Sequence, residues 1–166
     1  GRAVAGLVLV AALPGCAGDQ SGLRDWSIQA RESVLPPASI RSLALPPEGR
    51  AALRGSRADA VQALQEAAGA WLALLAAIAD DATPPDDSAE LTARAARIAP
   101  FDAAGAAAVG ALAQGIAWVA GRGWSSASMA YVLRDGDPLF QPVMAALARQ
   151  EAALDAEAPD AATRAS

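Results

Sequence analysis

Apolar side chains recur at alternating three- and four-residue steps through most of this chain, the spacing that lines one face of an α-helix. The longest run, Val61, Leu64, Ala68, Trp71, Leu75 and Ile78, predicts a helix over residues 56–80. Leu72 and Leu74 widen that seam enough for it to face more than one neighbour. Ser56 and Asp59 have capping-box spacing, with Asp in place of Glu. Upstream, Leu23, Trp26, Ala30 and Val34 predict a short helix. It should end near Leu35, because Pro36-Pro37 disfavours helical geometry just before it. Residues 35–56, in which Leu-Pro-Pro occurs twice, read as a semi-stiff spacer.

Beyond Ile78 the pattern breaks at an aspartate-rich turn. Asp87 and Glu90 again have capping-box spacing and introduce a short helix with Leu91, Ala95 and Ile98 on its inner face. Pro100-Phe101-Asp102 restarts the chain, with Asp102 as cap and Phe101 as staple. Val109, Leu112, Ile116 and Val119 form the next seam. Gly105, Gly110 and Gly115 would weaken that helix in isolation, so they are expected where a neighbouring helix approaches closely. Gly121 and Gly123 should end it. A further short helix carrying Met129, Val132 and Leu133 is expected to start at Ser125 or Ser126 and to end at Gly136. The last helix should begin at Asp137-Pro138, with a restart at Pro142 as the alternative, and with Val143, Leu147 and Leu154 inward. Residues from Pro159 onward read as a frayed tail.

No segment alternates with period two between turns. The chain is therefore expected to be all-α, a helical bundle of about four main helices with short accessory ones. Composition agrees: 54% of the residues are hydrophobic, alanine supplies most of that share, and β-branched residues are sparse. At 166 residues the chain is one domain of ordinary size, with the bundle over residues 56–158 and the tail over 159–166.

Charge and residue usage narrow the chemistry. The net charge is −5, which offers no broad basic surface for nucleic acid. All 13 basic residues are Arg, and Lys and His are absent. Schiff-base lysines, P-loop lysines, imidazole bases and histidine ligands are excluded on composition alone. The aspartates at 80, 81, 86 and 87 lack the ligand alternation and central Gly of a calcium loop, and "RDGDP" at 134–138 fails the same pattern. "GRGWSS" at 121–126 follows a helix rather than a strand, so it does not read as a dinucleotide loop. No metal or cofactor is expected, and a non-catalytic protein is. A carboxylate-based hydrolase remains as an alternative, since paired acids need neither His nor Lys.

The opening segment carries a different signal. Residues 3–13 form an uncharged, mostly apolar run behind Arg2. The run is too short to span a bilayer, which takes about 20 residues. It fits the apolar core of a signal peptide, with Arg2 as the remnant of a positive region and the true start expected further upstream. Leu13-Pro14-Gly15-Cys16 then resembles the lipobox of bacterial lipoproteins, with Pro14 standing where a small residue is usual. The resemblance implies a signal peptide over residues 1–15, a diacylglyceryl thioether on Cys16 and an acylated amino terminus after cleavage. Residues 16–55 would then hold the acylated N-terminus, the short helix and the Pro-rich connection. Ala17, rather than Asp, follows the cysteine, which resembles the default signal for the outer membrane, facing the periplasm. Two or three acyl chains suffice for stable anchoring.

The partners expected on this reading are the membrane, through the acyl chains on Cys16, and an envelope protein. Trp118, Trp124 and Tyr131 cluster around the glycine-rich turn as a candidate partner or ligand surface. The same three aromatics could instead plug one end of the bundle, or hold an apolar small molecule.

Overall fold

The computed structural model describes residues 21–35, 55–123 and 125–164. Cys16, the lipobox-like segment, most of the Pro-rich connection and Trp124 lie outside the described residues. The described chain forms five α-helices: α1 (Ser21–Val34), α2 (Arg57–Ala79), α3 (Ser88–Ile98), α4 (Ala103–Arg122) and α5 (Ser126–Arg164). There is no strand among them. The protein is an all-α bundle, as its periodicity predicts.

The central element is α2, which packs against all four other helices. Its expected seam is fully realised: Val61, Leu64, Ala68, Trp71, Leu75 and Ile78 are all buried, together with Leu72 and Leu74. The Ser56 side chain accepts the Asp59 backbone N–H at 3.2 Å, the first half of the capping box. α3 runs antiparallel to α2, with Arg97 against Asp59 near the start of α2 and Arg94 bonded to Glu66 one turn and more further along. A tight turn at Ala99–Asp102 reverses the chain into α4, whose first turn is capped by Asp102 accepting the Gly105 N–H at 2.7 Å. α5 returns antiparallel to both α4 and α2. α1 lies along the C-terminal half of α2, with Arg24 reaching Asp80 at 3.4 Å and Leu35 over Gly69.

This order gives the bundle two ends. One gathers the start of α2, the end of α3, the start of α4 and the later part of α5. The opposite end gathers the end of α2, the end of α4 and the starts of α1, α3 and α5.

Both α2 and α4 are long and apolar enough to cross a membrane by length and composition. In α2 the bundle accounts for this: 61% of its apolar window is buried against other helices. In α4 the figure is 39%, because Ala103, Ala104, Ala107 and Ala111 face outward. Methyl groups raise hydropathy there without forming a large apolar side-chain patch.

Three expectations are corrected. Gly136 does not end a helix, and Asp137-Pro138 does not start one; α5 runs unbroken through Gly136, Pro138 and Pro142, and on past Pro159 where a tail was expected. The reason is packing. Val132, Gly136, Val143, Ala146 and Leu147 are buried along one continuous face, whereas Arg134, Pro138 and Pro142 are exposed. Each proline lacks the N–H that would bond the carbonyl four residues earlier. For Pro138 and Pro142 those carbonyls belong to Arg134 and Pro138, on the wet side, where water can satisfy them. Gly136 is small because Trp71 lies on it: a Cβ there would sit 2.7 Å from the indole ring.

The cap of α3 is the second correction. Asp87 makes no side-chain capping bond; Asp86 does so instead, accepting the Ser88 N–H at 3.2 Å and its hydroxyl at 2.6 Å. Glu90 pairs with Arg94 at 3.0 Å. The third concerns the glycines of α4. Gly105 and Gly115 are close-approach points, with a Cβ at either falling 2.9 Å from Ala146 or Leu139, but Gly110 faces open space.

Candidate partner surface

Trp118 and Tyr131 meet where α4 ends and α5 begins. Trp118 lies one turn before the end of α4, and Tyr131 lies in the second turn of α5. Their ring centroids are 4.4 Å apart with the planes tilted by 31°, a close tilted contact at the short edge of the separations at which aromatic pairs attract. Gly115 makes room for the contact, since a Cβ there would fall 3.1 Å from the Tyr131 hydroxyl. Arg122, four residues after Trp118 and so on the same helix face, lays its guanidinium over the indole at 4.0 Å. Both aromatic side chains are half-buried. Burial, together with the nearby Asp135 carboxylate, raises the Tyr131 phenol above its ordinary range. The phenol is therefore a neutral donor at any physiological pH.

Two of the three expected aromatics are thus brought together, while Trp124 lies outside the described residues. Arg122 was not among the residues singled out from sequence. Its spacing from Trp118 was the available signal, because residues four apart on a helix stack. The arrangement presents a positive charge, an indole and a phenol side by side on one end of the bundle. Such a surface can hold a polar interface or a flat ligand by stacking and hydrogen bonding.

Apart from this surface, a concavity lies between α1 and α2. It measures about 350 Å³ and is lined by Ser27, Ile28, Arg31, Glu32 and Leu35 from the α1 segment and Leu72, Ala73 and Ala76 from α2. Its floor is apolar and its rim charged. Ile28, 44% exposed, stands on that rim as an uncovered large aliphatic side chain. Ser27 is fully buried beneath it, its hydroxyl donating to the Leu23 carbonyl at 2.7 Å. Such a bond lets a hydroxyl sit inside an otherwise apolar contact.

The two inward-lying carboxylates, Asp59 and Asp102, are engaged by arginines. Asp59, 7% exposed, pairs with Arg97, which also bonds the Asp59 backbone carbonyl at 3.3 Å. Asp102 pairs with Arg149 at 2.7 Å while capping α4. Burial alone would raise the Asp102 carboxyl, but the Gly105 N–H and the Arg149 guanidinium outweigh it and hold the group below the usual carboxylate range. Gln150, buried beside them, accepts from Arg57, whose guanidinium also lies 5.3 Å from the Phe101 ring. Among the described residues no three potential ligands cluster as a metal site would require. No family model, curated protein or solved structure matches the chain.

Proposed function

We propose that this protein is a bacterial lipoprotein, acylated on Cys16, whose helical bundle acts as a non-catalytic interaction or scaffolding module in the cell envelope. One observation carries the reading: Leu13-Pro14-Gly15-Cys16 closes an uncharged run with the length of a signal peptide's apolar core and contains the only cysteine of the chain. A single thiol in an exported protein has no disulfide partner within the chain, and acylation gives it a role. The bundle's chemistry supports the second half of the reading. The buried Asp59 and the partly buried Asp102 each neutralise an arginine, and the chain contains no imidazole or lysine amine base. On this reading the outer membrane, facing the periplasm, is the destination that Ala17 specifies.

The test is intact mass spectrometry of the protein recovered from its native membranes. The expected species begins at Cys16 and carries a diacylglyceryl group, with or without a further amide-linked acyl chain. Cys16→Ser should leave the uncleaved or soluble form. A mature protein with an unmodified Cys16 thiol overturns the proposal.

A further inference from the structure

If Cys16 bears the lipid, the fold decides which end of the bundle meets the membrane. Five chain steps separate Cys16 from Ser21, the first residue of α1. Fully extended, they reach about 18 Å at most. The start of α1 is fixed at the C-terminal end of α2 by Arg24 on Asp80. α4 ends at that same end of the bundle, because α3 is antiparallel to α2 and α4 to α3. Ser21 therefore lies at the end of the bundle that carries Trp118, Arg122 and Tyr131, and the Asp59–Arg97 and Asp102–Arg149 pairs lie at the far end.

We infer that the Trp118–Arg122–Tyr131 end of the bundle seats on the headgroup layer of a zwitterionic bilayer; this rests on the acylation proposed above. Indole and phenol rings favour the membrane–water interface, where an apolar body and a polar tip are both accommodated. An arginine beside them can reach phosphate oxygens while its stem lies on the indole. The aspartate-rich turn between α2 and α3 lies at the same end, with Asp80, Asp81 and Asp86 exposed. Those carboxylates repel an anionic surface and select a zwitterionic one.

The experiment uses the acylated protein extracted from membranes and reconstituted into phosphatidylcholine vesicles that carry a spin-labelled headgroup, with tryptophan fluorescence as the readout. The label is expected to quench the wild-type signal, and Trp118→Phe should measurably reduce that quenching. Arg122→Glu, an exposed change that keeps every tryptophan, should reduce it as well, and replacing phosphatidylcholine by phosphatidylglycerol should weaken it. Circular dichroism checks that both variants remain helical. Equal quenching in wild type and both variants overturns the inference and leaves this surface to an aqueous partner, with the acylation reading intact. Absence of an acyl group on Cys16 in the starting material overturns both.

Discussion

Where α2 begins, the bundle is closed by ions and amides; where it ends, by rings and glycines. At the first end Asp59 and Arg97, Asp102 and Arg149, and Arg57 and Gln150 knit four helices together through polar contacts. Toward the second, Trp71 sits against Gly136, and Trp118 stacks on Tyr131 over Gly115. Polar pairs of this kind fix which helix ends meet, because a mispaired buried charge is costly. Ring-on-glycine contacts instead supply area and shape, and their worth depends on fit. The first kind of closure should respond to pH and the second to volume.

The largest expected effect tests the aromatic side. Burying Trp71 removes about 200 Å² from water, on the order of 5 kcal/mol by area. Trp71→Ala is expected to cost about 3–5 kcal/mol, through the lost burial and the cavity left behind. Chemical denaturation measures it, and an unchanged midpoint would contradict the packing described. Next in size is Gly136→Ala, which adds a single methyl directly against the Trp71 ring. Overpacking of this kind costs about 1–3 kcal/mol. The two are informative together: combined with Trp71→Ala, the glycine change should turn stabilising by about 0.5–1 kcal/mol, since the ring it would strike is gone and alanine suits a helix interior better than glycine. A double-mutant cycle that shows simple additivity would separate the two positions.

The smallest effect tests the polar end through acid. Asp102 has a folded-state pKa below its unfolded one, so its ionised form is the one the fold favours. Its contribution is complete above the unfolded value of about 3.9 and is lost as the pH falls through the lower folded value. Asp102→Asn should therefore be destabilising at neutral pH, and the gap from wild type should narrow as unfolding is followed downward from pH 5. A gap that stays constant into acid would mean that the cap, rather than the charge, is what Asp102 supplies.

Much of the bundle was legible in the chain. The seams of α2 and α4 follow directly from apolar spacing, and Ser56 and Asp102 announced their helices because a short polar side chain before an apolar run has few other uses. α5 was not legible as one element. Its face continues in phase across Gly136, Pro138 and Pro142, but local rules treat each of those residues as punctuation, and only Trp71, distant in sequence, explains the glycine. The caps near Asp87 were readable in kind but not in residue: Asp86 and Asp87 are interchangeable on paper, and turn geometry chose the former. The partners of Asp59 and Asp102 lie 38 and 47 residues away, and no local pattern could pair them. Of the candidate surface, the Trp118–Tyr131 proximity was anticipated from the turn between them; the role of Arg122 was not.

Alanine at the centre has a mechanical consequence. Ala60, Ala63, Ala67 and Ala68 on α2 are all wholly enclosed, where leucines would ordinarily cushion one helix from the next. Axes separated by such short side chains can approach toward the lower limit of roughly 8–10 Å for packed helices. The rods are then meshed like gears. A larger tooth on α2 would not fill a gap; it would prise neighbours apart, and because α2 touches every other helix, one added methylene would be felt across the whole assembly.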